Sequence, residues 1–576
     1  MTKPFENLAA FATEDRIIRL IAKERGKYTA KNGGSSNPFK SDPLYGELKT
    51  MTPPHRLWAN PGRGRLPRKT NHGLAHWTGK KKRASVRVYR SILKNKELMS
   101  DAPWVQNLQS FVLSIQENLS NPGGPLVLET PRILAKFKEQ DQDTGDFIYR
   151  PICKYSDLRT KIILALAYQY ILANFDKCFH RNMLFMRAPR RVGANQYIVP
   201  KFLDAIDLVS DYRKKNDDKS IYVGECDIQK FYDIFNHDVI LDCFEDLFEE
   251  AKQKDGAVDS DFDILRRVIC AYLDSFNYPE HVMGKNGDSD FWNGEIRRRK
   301  SEKCPNPVCR FKWVKEDAFV SSECYTGEEF RAARDGGKLG IPQGGALSGI
   351  IVNVVMRMVD KPIVGPDDPE RLFIRYCDDI LLMHTDRQLC ADYLETYYRR
   401  LVDCKLIPHP RKNVADCKTG KKTGADFWHF KSKNVYLWGP GEGDASDWVA
   451  FVGYEMRRTG EIRVRKDKID AEFKRIARRY YDIIYSKVAT SGDPLTEEQQ
   501  EKLMARMDSL AEHILDYEKA GNNVYTRSQA RRLDKYLYRK SRQAAGRIGI
   551  ADTKKAACDR ATYEQKVKEK HNELTH

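Results

Sequence analysis

The chain has little of what would mark a membrane-spanning or secreted protein. Its 576 residues contain no apolar run of roughly 18, so no membrane-spanning helix is expected. The opening stretch, MTKPFENLAAFATEDRIIRL, carries acids within its apolar part and offers no clear cleavage site, so it does not read as a secretory signal. No internal repeat and no long low-complexity tract occurs. The chain is too long and has too much core material for a small disulfide-stapled module, and its 13 Cys, scattered without regular spacing, point to reduced thiols in a cytoplasmic protein. With 41% apolar and 31% charged residues, the chain is neither wholly disordered nor short of core material.

Acid is also missing locally. Between Lys49 and Lys96 there is no Asp or Glu, while Arg56, Arg63, Arg65, Arg68, Lys69 and Lys80-Lys81-Lys82-Arg83 all fall there. Pro and Gly between 53 and 67 suggest an irregular basic arm rather than a packed helix. Trp58 and Trp77 could stack on bases, or simply pack on the body of the protein. Overall, 99 Lys plus Arg face 81 Asp plus Glu, a net charge of +18. That surplus favours a polyanionic partner, nucleic acid first, with no membrane anchor evident.

Local patterning places several elements. Asp157 reads as the N-cap of a helix through LRTKIILALAYQYILANF. IYVGECDI reads as a buried strand, followed by helical FYDIF and NHDVILDCFEDLFEE. Gly, Asp, Asn and charges dominate from about 283 to 339, an insertion or long connection. GIPQGGALSGIIVNVVMRMVD is a Gly-rich loop leading into a buried helix. RLFIRYCDDILLMHT is a hairpin with polar residues at its tip, and WVAFVGYEM with TGEIRVR forms another around Arg457 to Gly460. Helical patterning continues beyond 465, with a capping-box-like Thr496 and a basic segment, RSQARRLDKYLYRK.

Two apolar strands deliver acids at or near their ends: Asp227 in one, Asp378 and Asp379 in the other. Carboxylates beside apolar strands are costly unless a positive group pairs with them. Mg²⁺ is the economical partner, since it takes oxygen ligands and keeps positions open for phosphate. Cys304 and Cys309, with Cys324 and His281, are the candidates for a zinc site, but the spacing favours ordinary reduced Cys. Cys377 reads as a small turn residue rather than a nucleophile.

The series ECDIQKFYDIFNH, GIPQGGALSGIIVN, FIRYCDDILL and FVGYEMRRTGEIRVR, in that order, resembles the motifs of a reverse transcriptase, of the prokaryotic solitary, defence-associated and abortive-infection kind. Upstream, YRPICKYSDLRTKII resembles the fingers segment. The resemblance covers roughly residues 145–465 and implies an α+β right-hand polymerase: fingers, an antiparallel palm sheet and a helical thumb. The implied division is an N-terminal extension at 1–99, fingers at 100–220, palm at 221–465 with the insertion, and thumb and tail at 466–576. Ser348-Gly349 replaces the usual Ser-Pro of the family, and no VTG-type retron tail, endonuclease, zinc pattern or RNase H motif is found.

What the resemblance implies for the site is specific. Asp227 and Asp378 would hold two Mg²⁺ ions (or Mn²⁺) with the Ile228 carbonyl, and Asp379 would support them. Tyr232 would be the steric gate against ribonucleotides. Gln343 and Gly344 would line the nucleotide pocket, and Arg150, Lys154 and Arg159 would grip the triphosphate. Lys412, or alternatively Lys418, would lie near the leaving pyrophosphate. Tyr376, Phe451, Gly453 and Tyr454 would contact primer and template. Arg375 would either contact primer or cover the strand edge. The expected activity is RNA-directed DNA synthesis from dNTPs in bacterial antiphage defence, with a non-coding RNA among the candidate templates, a DNA product, and room for a homo-oligomer. Alternatives are a retron or group II intron-derived enzyme, a template-independent or protein-primed polymerase, and a catalytically silent nucleic-acid-binding scaffold.

Overall fold

The computed structural model describes residues 5–29, 42–58, 75–121, 123–141, 143–191, 197–297, 308–314, 316–365, 368–417 and 431–465. The expected thumb and tail, with Thr496 and the basic segment after it, lie outside the described residues, as do Lys418 and Cys304. Among the described residues, those within 1–64 and 79–447 form one compact unit and those within 65–78 and 448–576 a second.

The structure is mixed α+β. The strands of the first unit are β1 (Arg132–Gln140), β2 (Phe147–Lys154), β3 (Arg190–Arg191), β4 (Tyr197–Ile198), β5 (Tyr222–Cys226) and β6 (Cys309–Phe311). They continue as β7 (Arg371–Tyr376), β8 (Asp379–His384), β9 (Arg411–Lys412), β10 (Ser432–Trp438) and β11 (Ala445–Ser446). The second unit contributes β12 (Trp448–Phe451), β13 (Tyr454–Arg457) and β14 (Ile462–Val464).

The central sheet runs β11-β10-β5-β8-β7, with β9 on β10. The β5–β8 and β7–β8 pairs are antiparallel. Their continuous apolar runs follow from burial on both faces. Ile380, Leu381, Leu382 and Met383 of β8 are all buried. The helix Arg387–Asp403 brings Leu394 and Tyr397 onto the sheet, with the Tyr397 ring 5.9 Å from Phe373. The helix Ser348–Val364 is buried along nearly its whole length, and its one buried cation near the middle, Arg357, is paired with Asp246 and Glu250. Burying that guanidinium is tolerable because it is paired.

The Asp157 expectation holds. The Asp157 carboxylate accepts from the Thr160 N–H at 2.6 Å and starts the helix Leu158–Phe175. The insertion is folded in its described parts, with helices Ser289–Arg297, Glu316–Ser321 and Gly327–Asp335 and the strand β6. The basic arm differs from expectation. Its C-terminal part is the helix Ala75–Lys96, which holds the Lys80–Arg83 run. Pro stops at Pro67 and a single Gly, Gly79, falls within the helix, while Val88, Ser91, Ile92 and Asn95 recur at helical spacing and are buried. Trp58 packs on the body: its indole N–H donates to the Pro53 carbonyl at 2.8 Å, and Arg25 and Arg87 lie over the ring.

In the second unit WVAFVGYEM is not one strand. Val452 and Gly453 have φ of 45° and 90°, which turns β12 back on β13 and pairs Phe451 with Tyr454. Two successive left-handed residues make the primed turn that suits a two-residue hairpin. The expected hairpin near Arg457 to Gly460 is the β13–β14 connection.

Beyond the helix Leu158–Phe175 the chain forms an arginine-rich segment. Arg187 is buried, bound to the Asp176 carboxylate at 2.7 Å and to the carbonyls of His180 and Met183. Burial, reinforced by Arg181, Arg187, Arg371 and Arg190, pulls the His180 imidazole from its ordinary 6.5 down to about 4. The Asn182 N–H donates to its Nδ1 at 3.3 Å, which suits the neutral ring. Between those pH values the unfolded chain binds the extra proton, so this contribution to stability is lost as pH falls from about 6.5 to 4. The variant His180→Gln is therefore expected to flatten the acid limb of a denaturant-midpoint against pH profile. An unchanged limb would show that His180 does not govern it.

Candidate active site

β5 ends at Cys226, which pairs with Ile380 of β8, so Asp227 emerges beside Asp379. β7 and β8 are joined by the two residues Cys377 and Asp378, with Tyr376 opposite Asp379. Cys377 has φ of 62°, a left-handed conformation that closes this turn. Three carboxylates thus meet where two neighbouring strands end. Desolvation, and then repulsion from Asp227, raises the Asp378 pKa. Crowding by surrounding protein, with Asp378 and Asp227 adding repulsion, pushes Asp379 up to about 7, although part of its side chain faces solvent.

Asp227 is the most firmly held of the three. Its Oδ1 accepts from the Ile228 N–H at 2.9 Å, and its backbone N–H donates to Ser432 Oγ at 3.0 Å. Its Oδ2 takes the Lys431 ammonium at 2.7 Å, with His409 Nε2 at 3.9 Å. Lys431 went unnoticed in the sequence. Nothing in its own neighbourhood marks it, since it lies 204 residues from its partner. Lys412, favoured from the sequence, lies in β9 opposite Lys433 of β10, two residues along from Lys431.

Tyr232 sits on the short helix Phe231–Ile234, with its hydroxyl 3.6 Å from Cys377 Sγ. The gate candidate is thereby placed against the carboxylate turn. The Gln343 carbonyl accepts from the Cys153 N–H of β2 at 2.8 Å. Gly344 has φ of 100°, and a Cβ there would lie 3.3 Å from the Cys153 carbonyl oxygen. Both its backbone conformation and this close approach call for glycine. Arg150 and Lys154 are exposed on β2, opposite Lys136 and Arg132. Arg150 also faces Asp233, next to Tyr232, whose buried carboxyl is pushed up to about 7 by desolvation, with Lys230 and Arg150 opposing. Tyr232, Gln343, Gly344, Arg150 and Lys154 therefore belong to one neighbourhood. Arg159 is exposed in the first turn of its helix, and its charge bears on Glu47.

Arg375 does neither of the things expected of it. It is wholly buried, with Nε bound to Asp360 at 2.7 Å and Nη1 donating to Asn353 Oδ1 at 3.2 Å and to the Cys377 carbonyl at 3.1 Å. Tyr376 meets Phe185 edge-on, with ring centroids 5.4 Å apart. The Ser-Gly departure has a local cause: a Cβ at Gly349 would lie 2.9 Å from Met186 Cγ and 3.4 Å from Phe185. Asn353 ties the same loop to the helix by donating to the Phe185 carbonyl at 2.7 Å. Phe451, Gly453 and Tyr454 belong to the β12–β13 hairpin of the second unit. Cys309 and Cys324 are buried in separate clusters, and no three His, Cys, Asp or Glu side chains are arranged to hold a metal ion among the described residues, Asp227, Asp378 and Asp379 included. No described helix is long and apolar enough to cross a membrane.

The Lys431 ammonium and a divalent cation would compete for Asp227 Oδ2. The variant Lys431→Met is accordingly expected to tighten Mg²⁺ binding by up to about fivefold, the worth of one exposed ion pair. Isothermal titration with MgCl₂ measures this, and weaker Mg²⁺ binding would count against competition.

No protein-family model matches the chain, and no curated protein matches it either. Among solved structures it is similar to apo telomerase from Candida tropicalis, at 12% identity over 84% of this chain and 79% of that one, with a TM-score of 0.32. A form of that protein truncated from the C-terminal domain is 14% identical over 81% and 84%, with a TM-score of 0.29. Telomerase from Candida albicans, solved with a fragment of telomeric RNA, is 11% identical over 81% and 70%, with a TM-score of 0.27. Similarity at this level decides neither fold nor activity.

Proposed function

We propose that the chain is an RNA-directed DNA polymerase of the reverse transcriptase type, with the central sheet as its palm and the β1–β2 hairpin as part of its fingers. The observation that carries this reading is the convergence of Asp227, Asp378 and Asp379 at adjacent strand ends, with Tyr232 against their turn. The order of the motifs along the chain supports it.

The donor set suits a divalent cation. Carboxylate oxygens crowd together, repel one another and have one exposed ammonium, Lys431, bound among them. Two Mg²⁺ ions, or Mn²⁺, would be held by Asp227, Asp378 and the Ile228 carbonyl, with Asp379 in support. Bound there, they supply charge neutralisation for phosphoryl transfer. The chain's own residues do the positioning. Arg150 and Lys154 hold the triphosphate of a deoxynucleotide, while Gln343 and Gly344 shape the pocket under its base and sugar. Tyr232 excludes a ribose 2′-hydroxyl. Arg159 joins these cations on the motif series alone, and Lys412 faces the departing pyrophosphate. Tyr376 in the first unit is a primer contact, and Phe451, Gly453 and Tyr454 in the second are, by the motif series, primer and template contacts of their own. The primer 3′-hydroxyl then attacks the α-phosphate in a reaction dominated by placement and charge.

The finer reading, a solitary bacterial enzyme of antiphage defence acting in the cytoplasm on a non-coding RNA, rests on the motif series alone. The test is extension of a DNA primer on an RNA template by the purified protein, with dNTPs and rNTPs compared, alongside sequencing of co-purifying nucleic acid. Template-copied DNA supports the proposal. Untemplated product favours the template-independent alternative, and RNA binding without synthesis favours the scaffold.

A further inference from the structure

We propose that residues 308–314 of the insertion are a brace that holds the β1–β2 hairpin and the Tyr232 helix in register, setting the site's grip on a nucleoside triphosphate. This rests on the nucleotide site proposed above. The edge of β2 turned away from β1 is covered by two separate pieces of chain. β6 pairs with it in parallel, Phe147 to Cys309, Ile148 to Arg310 and Tyr149 to Phe311. Farther along, the Gln343 carbonyl takes the Cys153 N–H. The hairpin turn is gripped by charge. Arg310 binds Asp146 at 2.8 Å and Lys312 binds Asp141 at 3.0 Å, on the two sides of the turn.

Beneath the strands lies a small core made largely by the insertion and the segment before it. Trp292 packs 5.2 Å from Tyr149 and 5.0 Å from Phe311, with Phe276, Tyr278 and Val282 around them. The Asn286 side chain pins Phe311 in both directions, accepting from its N–H at 2.8 Å and donating to its carbonyl at 3.0 Å. Immediately after β6 the chain reaches the other side of the site. The Trp313 indole N–H donates to the Asp233 carbonyl at 3.2 Å, and its ring stacks on Tyr278 at 5.5 Å. The Lys230 ammonium donates to the Lys312 carbonyl. One short stretch thus touches the strand that carries Arg150 and the helix that carries Tyr232. A two-stranded hairpin alone is marginal in water, so an added third strand and two ion pairs fix its position.

The variant Arg310→Ala/Lys312→Ala removes both ion pairs and leaves the backbone pairing. Hydrogen exchange of the 143–149 amides is expected to quicken, and the Kd of a dNTP with Mg²⁺, read by equilibrium titration, to rise about three- to tenfold. RNA affinity should stay within twofold of wild type. Lys338→Ala, which breaks a surface pair with Asp238 elsewhere in the insertion, should change neither. Trp313→Phe keeps the stacking, loses the hydrogen bond to Asp233, and should raise the dNTP Kd in the same direction. An unchanged exchange rate, an unchanged dNTP Kd, or a wild type that binds no dNTP overturns the brace. A wild type that binds dNTP and fails to incorporate it overturns the polymerase reading and leaves the brace to the exchange and binding results.

Discussion

The double substitution Asp378→Ala/Asp379→Ala is expected to abolish nucleotide incorporation, by at least about a thousandfold, while the protein folds and binds RNA as before. The expectation follows from electrostatics. These carboxyls sit where Asp227 and surrounding protein already oppose their ionisation. A fold keeps such a cluster at a cost, and removing two of its members relieves repulsion rather than breaking a stabilising pair. Thermal stability should therefore hold or rise as activity disappears. Primer extension, with RNA binding and a melting curve on the same samples, measures all three. Incorporation surviving the double change would sink the site assignment, and a collapse of the fold would show the acids to be structural.

The second large effect is expected at Arg375. Arg375→Met strands Asp360, which has no measurable exposure, beside an apolar side chain. Breaking a buried ion pair in this way costs about 3–5 kcal/mol. Replacing both members, Arg375→Met with Asp360→Leu, should recover most of that stability, because an apolar pair of similar volume suits the site. Activity should behave differently. The guanidinium also donates to the Cys377 carbonyl in the carboxylate turn, and through Asn353 it reaches the helix that follows the Gln343 loop. The double variant should regain its denaturant midpoint and remain poor in kcat, with the KM for dNTP much less changed. Recovery of stability and kcat together would mean that Arg375 only fills the core.

The parts of this molecule that depend on near neighbours were legible in the sequence. The Asp157 cap, the strand ending at Asp227 and the hairpin bearing Asp378 and Asp379 are set by residues a few positions apart. Even the departure at Gly349 was visible, although its reason was not: the Phe185–Met186 loop that fills the space is far away in sequence.

Tertiary structure alone decided the rest. Arg375 reads as a surface cation until the sheet and the helix Ser348–Val364 enclose it against Asp360. Lys431 becomes a partner of Asp227 only because β10 lies beside β5. The Pro and Gly of residues 53–67 carry no information about the residues after them, where the pattern is that of the helix Ala75–Lys96. The insertion looked like a charged connection because β6 has only three residues, too short for any periodic signal, and gains its meaning from the strand it meets. Sequence patterning reports how each segment divides between core and water. Which charge is buried against which partner depends on contacts between distant segments, and those exist only once the chain has closed its loops.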